Sequence, residues 1–277
     1  MHSQWQSQYT VVPLTDGGWN DSKPKFTSDG QQIIFVSNRE NKQGIFSIYL
    51  KDNQIESLCS DSSAFTDFTI HRRNQQILAV NSDGLAYWIA SNGKATAAKA
   101  INKRAYFIGS PSLNTTGNLL CFIGKNENSL YPTLFTYDRK YDNLNTHFGN
   151  QKGVSNPDWS PKSDFIIYNI NNEDYKTSHL EIKRWDASFI TTIQSDTVQL
   201  KDANWGASST KFICVGRTAF YHYLFILHVD GTLKEVVFKS ERPLSQPDWS
   251  DDGTKIVVVL EENDFQKKLL LIDLQSL

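Results

Sequence analysis

The sequence predicts an all-β chain folded as a six-bladed β-propeller of four-stranded antiparallel blades. Three observations carry the prediction. The pattern Pro-x-Trp-Ser occurs twice almost unaltered, at Pro157-Asp158-Trp159-Ser160 and Pro247-Asp248-Trp249-Ser250. A large apolar residue recurs at the Trp position, as Phe26, Ile70, Leu113, Trp159, Trp205 and Trp249, with gaps of 43 to 46 residues. A β-branched or aromatic run follows each of the six. A fixed period of this length means one supersecondary unit repeated around an axis.

Within each unit the elements follow one order. The first strand ends at the reference residue, and Pro stands two residues before it at Pro24, Pro111, Pro157 and Pro247, with Phe68 and Ala203 in the other copies. A polar turn follows, as in Ser28-Asp29-Gly30, Thr115-Thr116-Gly117 and Asp251-Asp252-Gly253. Gly there is free to take positive φ. The second strand is the apolar run, such as Ile33-Ile34-Phe35-Val36 or Ile256-Val257-Val258-Val259, whose continuity predicts cover on both faces. A third strand carries an aromatic or aliphatic signature (Ile45-Phe46-Ser47-Ile48-Tyr49; Leu269-Leu270-Leu271-Ile272). The fourth is more polar, as in Ile55-Glu56-Ser57-Leu58, which suits an outer edge. Copy two lacks both Pro and Trp, so a distorted blade is expected there.

The last copy stops after its third strand, while Tyr9–Thr15 at the other end form a strand with no unit of their own. Residues 9–15 are therefore expected to join the last blade and close the ring. The 277 residues are expected to form a single propeller domain, and a monomer.

The copy Lys23-Pro24-Lys25-Phe26-Thr27-Ser28-Asp29-Gly30-Gln31-Gln32-Ile33-Ile34-Phe35-Val36, followed by Ile48-Tyr49-Leu50-Lys51-Asp52, resembles the repeats of the TolB-like β-propellers (a WD40-like repeat). Leu14-Thr15 resembles that family's habit of ending a blade with Leu-Thr. The resemblance covers roughly residues 9–277 and implies the propeller fold. Its members include Tol-system components, peptidase-attached propellers and sugar-lyase scaffolds. Residues 9–277 are taken up by the propeller, so the separate N-terminal α/β domain found in some members of that family is not expected within this sequence.

Composition narrows the function. Hydrophobic residues make up 39%, charged residues 21%, and the formal net charge is −2. The cations are scattered, so nucleic-acid binding, which needs a concentrated basic face, is not expected. No apolar stretch is long enough for a membrane span, and no membrane insertion is expected. The N-terminus lacks the features of an export signal, and three cysteines (Cys59, Cys121, Cys214) cannot all pair within the chain. Both point to the cytoplasm, with the periplasm as the alternative if a signal has been removed. Cys121 and Cys214 lie in second strands of blades three and five and are expected as buried small hydrophobes.

A search for chemistry finds little. No Gly-x-Ser-x-Gly elbow occurs, and Gly149-Asn150-Gln151-Lys152-Gly153 lacks the context of a phosphate loop. The six histidines, His2, His71, His147, His179, His222 and His228, form no metal-binding pair motif. Acidic pairs Glu173-Asp174 and Glu261-Glu262 are expected in surface loops. No catalytic residue, resident cofactor or metal is assigned.

The loops linking successive blades and those between second and third strands emerge on one face, around the mouth of the central channel. They supply the candidate ligand-binding residues Trp19, Asp21, Arg39, Asp67, Tyr106, Asn156, Asp202, Arg217, His222 and Gln246. Asp21, Asp67 and Asp202 recur near one repeat position and could bring carboxylates together. The expected function is a non-catalytic module binding a protein or peptide partner at this mouth. The alternative is a carbohydrate-active (lyase-like) or other small-molecule enzyme, with a divalent cation in the channel.

Overall fold

A computed structural model describes residues 5–39, 43–59, 64–90, 92–128, 130–147, 153–171, 177–185, 189–263 and 265–275. Two short strands open the chain, β1 (Trp5–Gln6) and β2 (Thr10–Pro13). Blade one follows as β3 (Ser22–Phe26), β4 (Gln32–Ser37), β5 (Gly44–Tyr49) and β6 (Ile55–Ser57), and blade two as β7 (Phe65–Ile70), β8 (Ile77–Asn81), β9 (Ala86–Ile89) and β10 (Ala95–Ala97). Helix α1 (Lys99–Asn102) precedes blade three: β11 (Tyr106–Leu113), β12 (Leu119–Lys125), β13 (Thr133–Asp138) and β14 (Asn143–His147). Blade four is β15 (Val154–Trp159), β16 (Phe165–Asn171), β17 (Ser178–Arg184) and β18 (Phe189–Ile193). Blade five is β19 (Gln199–Trp205), β20 (Lys211–Arg217), β21 (His222–His228) and β22 (Leu233–Ser240). Blade six has β23 (Leu244–Trp249), β24 (Lys255–Asn263) and β25 (Gln266–Asp273).

All six blades are antiparallel and ordered from inner to outer strand. The fold class read from the repeat is the one observed, and each reference residue is the last residue of an inner strand. Closure also follows the expectation, since β2 pairs with β25 from Thr10↔Asp273 to Pro13↔Leu270. The clasp extends further than foreseen. Strand β1 adds a fifth strand to blade five through Trp5↔Ser240 and Gln6↔Lys239. Between these strands the Ser7 hydroxyl donates to Val237 O (2.7 Å), and the Tyr9 hydroxyl donates to Glu235.

The core lies in the seams. Six apolar clusters correspond to the six blade contacts; Leu14, Phe26, Phe35, Phe46, Val257, Val259 and Leu269, for example, join blades one and six. Second strands carry most of this burial because both faces meet a neighbour: Ile256 to Leu260 are wholly buried. The reference tryptophans pack across seams. Trp205 of blade five stacks near Phe165 of blade four, with centroids 6.4 Å apart. The ring of Trp249 lies so close to Gly206 of blade five that a Cβ there would sit 2.8 Å from it.

Blade two keeps four strands despite its missing Pro and Trp. Its departure is α1, which wedges between blades two and three. Ile101 is buried with Leu78, Leu120 and Tyr137. Asn102 extends the blade edge with its side chain, since Oδ1 accepts from Ala86 N–H and Nδ2 donates to Ala86 O, both at 2.9 Å. No helix among the described residues is long and apolar enough to cross a membrane.

Candidate functional site

The inner strands share an irregularity that builds the channel. In blades one, four, five and six, and in part of β11, register partners skip the two residues before the penultimate one (Ser155 pairs with Asn169, Asp158 with Ile167). This bulge holds one extra residue. Five non-glycine residues three before the reference adopt positive φ there: Lys23, Ser110, Asn156, Asp202 and Gln246, all at φ 48 to 55. The recurrent Pro occupies the next, unpaired position, where its missing N–H deprives the ladder of nothing. The Pro of the repeat therefore sits inside the inner strand. For the same reason Asn156, Asp202 and Gln246, expected in blade-linking loops, lie within β15, β19 and β23.

The five bulged residues and Asp67, at the same position of blade two, meet around the channel. Lys23 Nζ donates to Asp67 Oδ2 (2.8 Å), which also accepts from Ser110 N–H (2.7 Å). Ser110 Oγ donates to Asn156 Oδ1 (2.7 Å), and Asn156 Nδ2 to Asp202 Oδ1 (2.5 Å). Gln246 N–H donates to Asp202 Oδ2 (3.1 Å), and Lys23 N–H to Gln246 Oε1 (2.8 Å), completing the circle. Of the candidate residues, the structure thus brings Asp67, Asn156, Asp202 and Gln246 together. Lys23 and Ser110 complete the ring and were missed; their signal was the repeat position, not the residue type.

A second tier lies two residues further along each strand. Here a side chain of one blade accepts the N–H of the next blade's reference residue. Thr69 accepts from Leu113 (3.1 Å), Ser112 from Trp159 (3.2 Å), Asp158 from Trp205 (3.0 Å) and Asp248 from Phe26 (2.8 Å). Lys25 cannot accept, and its Nζ reaches Asp248 Oδ1 at 3.4 Å. Burial opposes the Lys25 charge, but Asp248 and Asp158 outweigh it and hold its pKa above the usual lysine value. Burial pushes the Asp158 carboxyl up, against the pull of Lys25. Asn204 Oδ1 is buried without a protein partner in this tier. A cavity of about 70 Å³ separates the tiers, bounded by Lys25, Asp158 and Asn204 among others.

The other candidates stand apart. Asp21, five residues before its reference, is fully buried and held by Arg39 Nη2 at 2.9 and 3.1 Å. It does not join Asp67 and Asp202, and Arg39 is committed to it. Trp19 lies on the linking loop of blade one, where its carbonyl accepts from Lys267 N–H (2.9 Å). Tyr106 opens β11, while Arg217 ends β20 and faces His222 at the start of β21. Glu261 and Glu262, expected in a loop, extend β24 instead and pair with Lys267 (3.3 Å) and with Arg242 and Lys268. Glu173 and Asp174, expected in a surface loop, lie outside the described residues, as do His2 and residues 149–152.

Above the ring a cleft of about 650 Å³ opens at blades two to four, floored by Asp67 and Ser110 and walled by Ile108, Ile123, Tyr131 and Pro132. On its blade-two side the hairpin between β8 and β9 is short. Gly84 caps it at φ 74, where a Cβ would meet Phe107 O at 2.6 Å.

Among the described residues, no three His, Cys, Asp or Glu side chains gather as a metal site. All three cysteines are buried, and burial pushes the Cys121 and Cys214 thiols up, away from thiolate chemistry. His147, on an outer strand, contacts Thr136 Oγ1 at 2.7 Å, and burial, with Lys183 nearby, lowers its pKa to about 4. A depressed imidazole leaves stability intact above pH 6.5 and removes it as pH falls from there toward 4. We expect His147→Gln to recover about 2 kcal/mol of the stability that the wild type loses between pH 7 and pH 5. Urea midpoints of both proteins at the two pH values check this.

No family model matches the chain, and no curated protein matches its sequence. Solved structures do match it in shape. A protein assigned as TolB in Agrobacterium tumefaciens superposes with a TM-score of 0.72 at 13% identity, over 95% of this chain and 96% of that one. A gluconolactonase of Xanthomonas campestris gives 0.70 at 8% identity, over 96% and 89%. An oligogalacturonate lyase of Vibrio parahaemolyticus gives 0.64 at 10% identity, over 97% and 96%. At these identities the likeness is one of fold: the chain is a propeller similar in architecture to TolB and to these enzymes alike.

Proposed function

We propose that the chain is a binding module that engages a protein or peptide segment across the upper face, where the blade-linking loops and the hairpins between second and third strands emerge. One observation carries this reading. Eleven large hydrophobic side chains are exposed among the described residues, and seven belong to that face. Trp19 lies on the approach to β3, Tyr106 and Ile108 in the first half of the inner strand β11, and Leu130, Tyr131, Phe220 and Phe265 on the hairpins. Scattered exposed apolar residues need no explanation, but their gathering on one face does. Below them the channel mouth is a closed hydrogen-bonded ring, so the polar groups there are already engaged with one another. The cleft above it offers apolar walls to a docked segment.

The test is a display selection of random twelve-residue peptides on the immobilised protein. Peptides are expected to bind the wild type and to lose at least tenfold in affinity to a Trp19→Ser, Tyr106→Ser, Ile108→Ser variant, as truncated interface anchors do. Tyr141→Ser, on the opposite face, should change nothing. Failure to recover any peptide overturns the reading.

A further inference from the structure

The upper rim of blade five has its own chemistry. Arg217 and His222 are register partners across the β20–β21 hairpin, and Lys201 is the partner of Val215. Opposed residues of an antiparallel pair project to the same side, and alternate residues of a strand do so too. Val215 and Leu224 pack into the seam with blade six. Lys201, Arg217 and His222 therefore all project to that side. Their proximity is visible in the imidazole: burial lowers the His222 pKa, and Lys201 and Arg217 lower it further, against a smaller opposing effect of Glu261.

Among the described residues these groups lack closely paired acids. Arg217 is exposed and makes no ion pair among the described residues, and Lys201 reaches its nearest carboxylate, Asp202, only at 4.0 Å. Nδ1 of His222 is buried without a protein partner. The neighbouring cations Arg242 and Lys268 are matched by Glu262, and Lys267 by Glu261. An apolar pair accompanies the uncompensated charge. Phe220, at the tip between β20 and β21, and Phe265, at the tip between β24 and β25, are each 81% exposed. They are the two most exposed large hydrophobics described, and they stand on adjacent blades.

We infer that the upper seam between blades five and six receives an acidic polypeptide segment, with a carboxylate among Lys201, Arg217 and His222 and a neighbouring apolar side chain at Phe220 and Phe265. This rests on the reading of the upper face as a polypeptide-binding surface. A carboxylate there neutralises the cations Lys201 and Arg217, accepts charge-assisted hydrogen bonds from the guanidinium and favours protonation of the His222 imidazole. A basic segment would be repelled by the same cations.

The peptides recovered from the selection above supply the probe. They are expected to carry Asp or Glu beside Phe, Leu or Trp. Their affinity should fall at least tenfold on Arg217→Glu and on Phe265→Ser, and be largely kept by Arg217→Lys. Binding should also raise the His222 pKa, followed by imidazole NMR. Peptides that bind but ignore Arg217→Glu and Phe265→Ser, and weaken only on Tyr106→Ser, overturn this inference and leave the wider reading standing. Displacement of the peptide by free glutamate or sulfate at equal concentration reduces the seam to a simple anion site and overturns the polypeptide part. If no peptide is recovered, both fall.

Discussion

Deletion of residues 1–16 is expected to lower the melting temperature by about 10–20 °C. The segment supplies the outer strand of blade six, with four register pairs to β25, and adds β1 to the edge of blade five. It also buries Leu14 in the seam between blades six and one, with Leu14 N–H donating to Leu269 O (2.8 Å). Thr15 Oγ1 accepts from Leu269 N–H (3.1 Å). A buried Leu contributes about 1.5–3 kcal/mol, and each net hydrogen bond about 0.5–1.5 kcal/mol. The sum is about 5 kcal/mol, and at this chain size 1 kcal/mol moves the midpoint by about 2–4 °C. The deletion also bares the edge of β25, a template for association. Calorimetry of the deleted chain checks the value, and adding the 1–16 peptide in trans should restore most of it. An unchanged midpoint would show that the ring holds without its clasp.

The parts of this fold that were legible in the sequence are those fixed by period and burial. Residues such as Ile256–Leu260 meet apolar neighbours on both sides, so they must be apolar in every copy, and the repeat is visible wherever that demand applies. The orphan strand at Tyr9–Thr15 was legible for a related reason: six blades of four strands leave one place open. What escaped was geometry that imposes no residue type. The bulge places Lys, Ser, Asn, Asp and Gln at one position with positive φ, and only Asn and Asp advertise such a conformation. Ring membership of Lys23 and Ser110 therefore depended on counting from the reference residue. Asp21 shows the reverse error. It looked like a ring carboxylate by type, but two residues of offset send it into a buried pair with Arg39. Helix α1 was hidden because its four residues hold their place through Ile101 and Asn102 alone, too few to set a helical period.

Replacement of Asp248 by Ala is expected to destabilise the protein by about 3–5 kcal/mol, the usual consequence of stripping one partner from a buried charged pair. Asp248 is 1% exposed, and it works at the seam that closes the ring. One carboxylate oxygen accepts Phe26 N–H (2.8 Å), so blade six holds the inner strand of blade one; the other faces Lys25 Nζ at 3.4 Å. Alanine leaves that N–H and that ammonium unsatisfied together. Asn keeps an acceptor for Phe26 N–H and removes only the charge, so Asp248→Asn should cost about 1–2 kcal/mol, the order of a single charge-assisted bond. The ordering Ala worse than Asn separates an acceptor role from a purely ionic one. Equal losses would mean that the Lys25 charge alone matters. The clasp and Asp248 act on the same seam from its outer and inner ends. If closure is one cooperative event, the deletion and Asp248→Ala should therefore combine to less than the sum of their separate effects. Denaturant melts of the two single variants and the combined one measure that coupling.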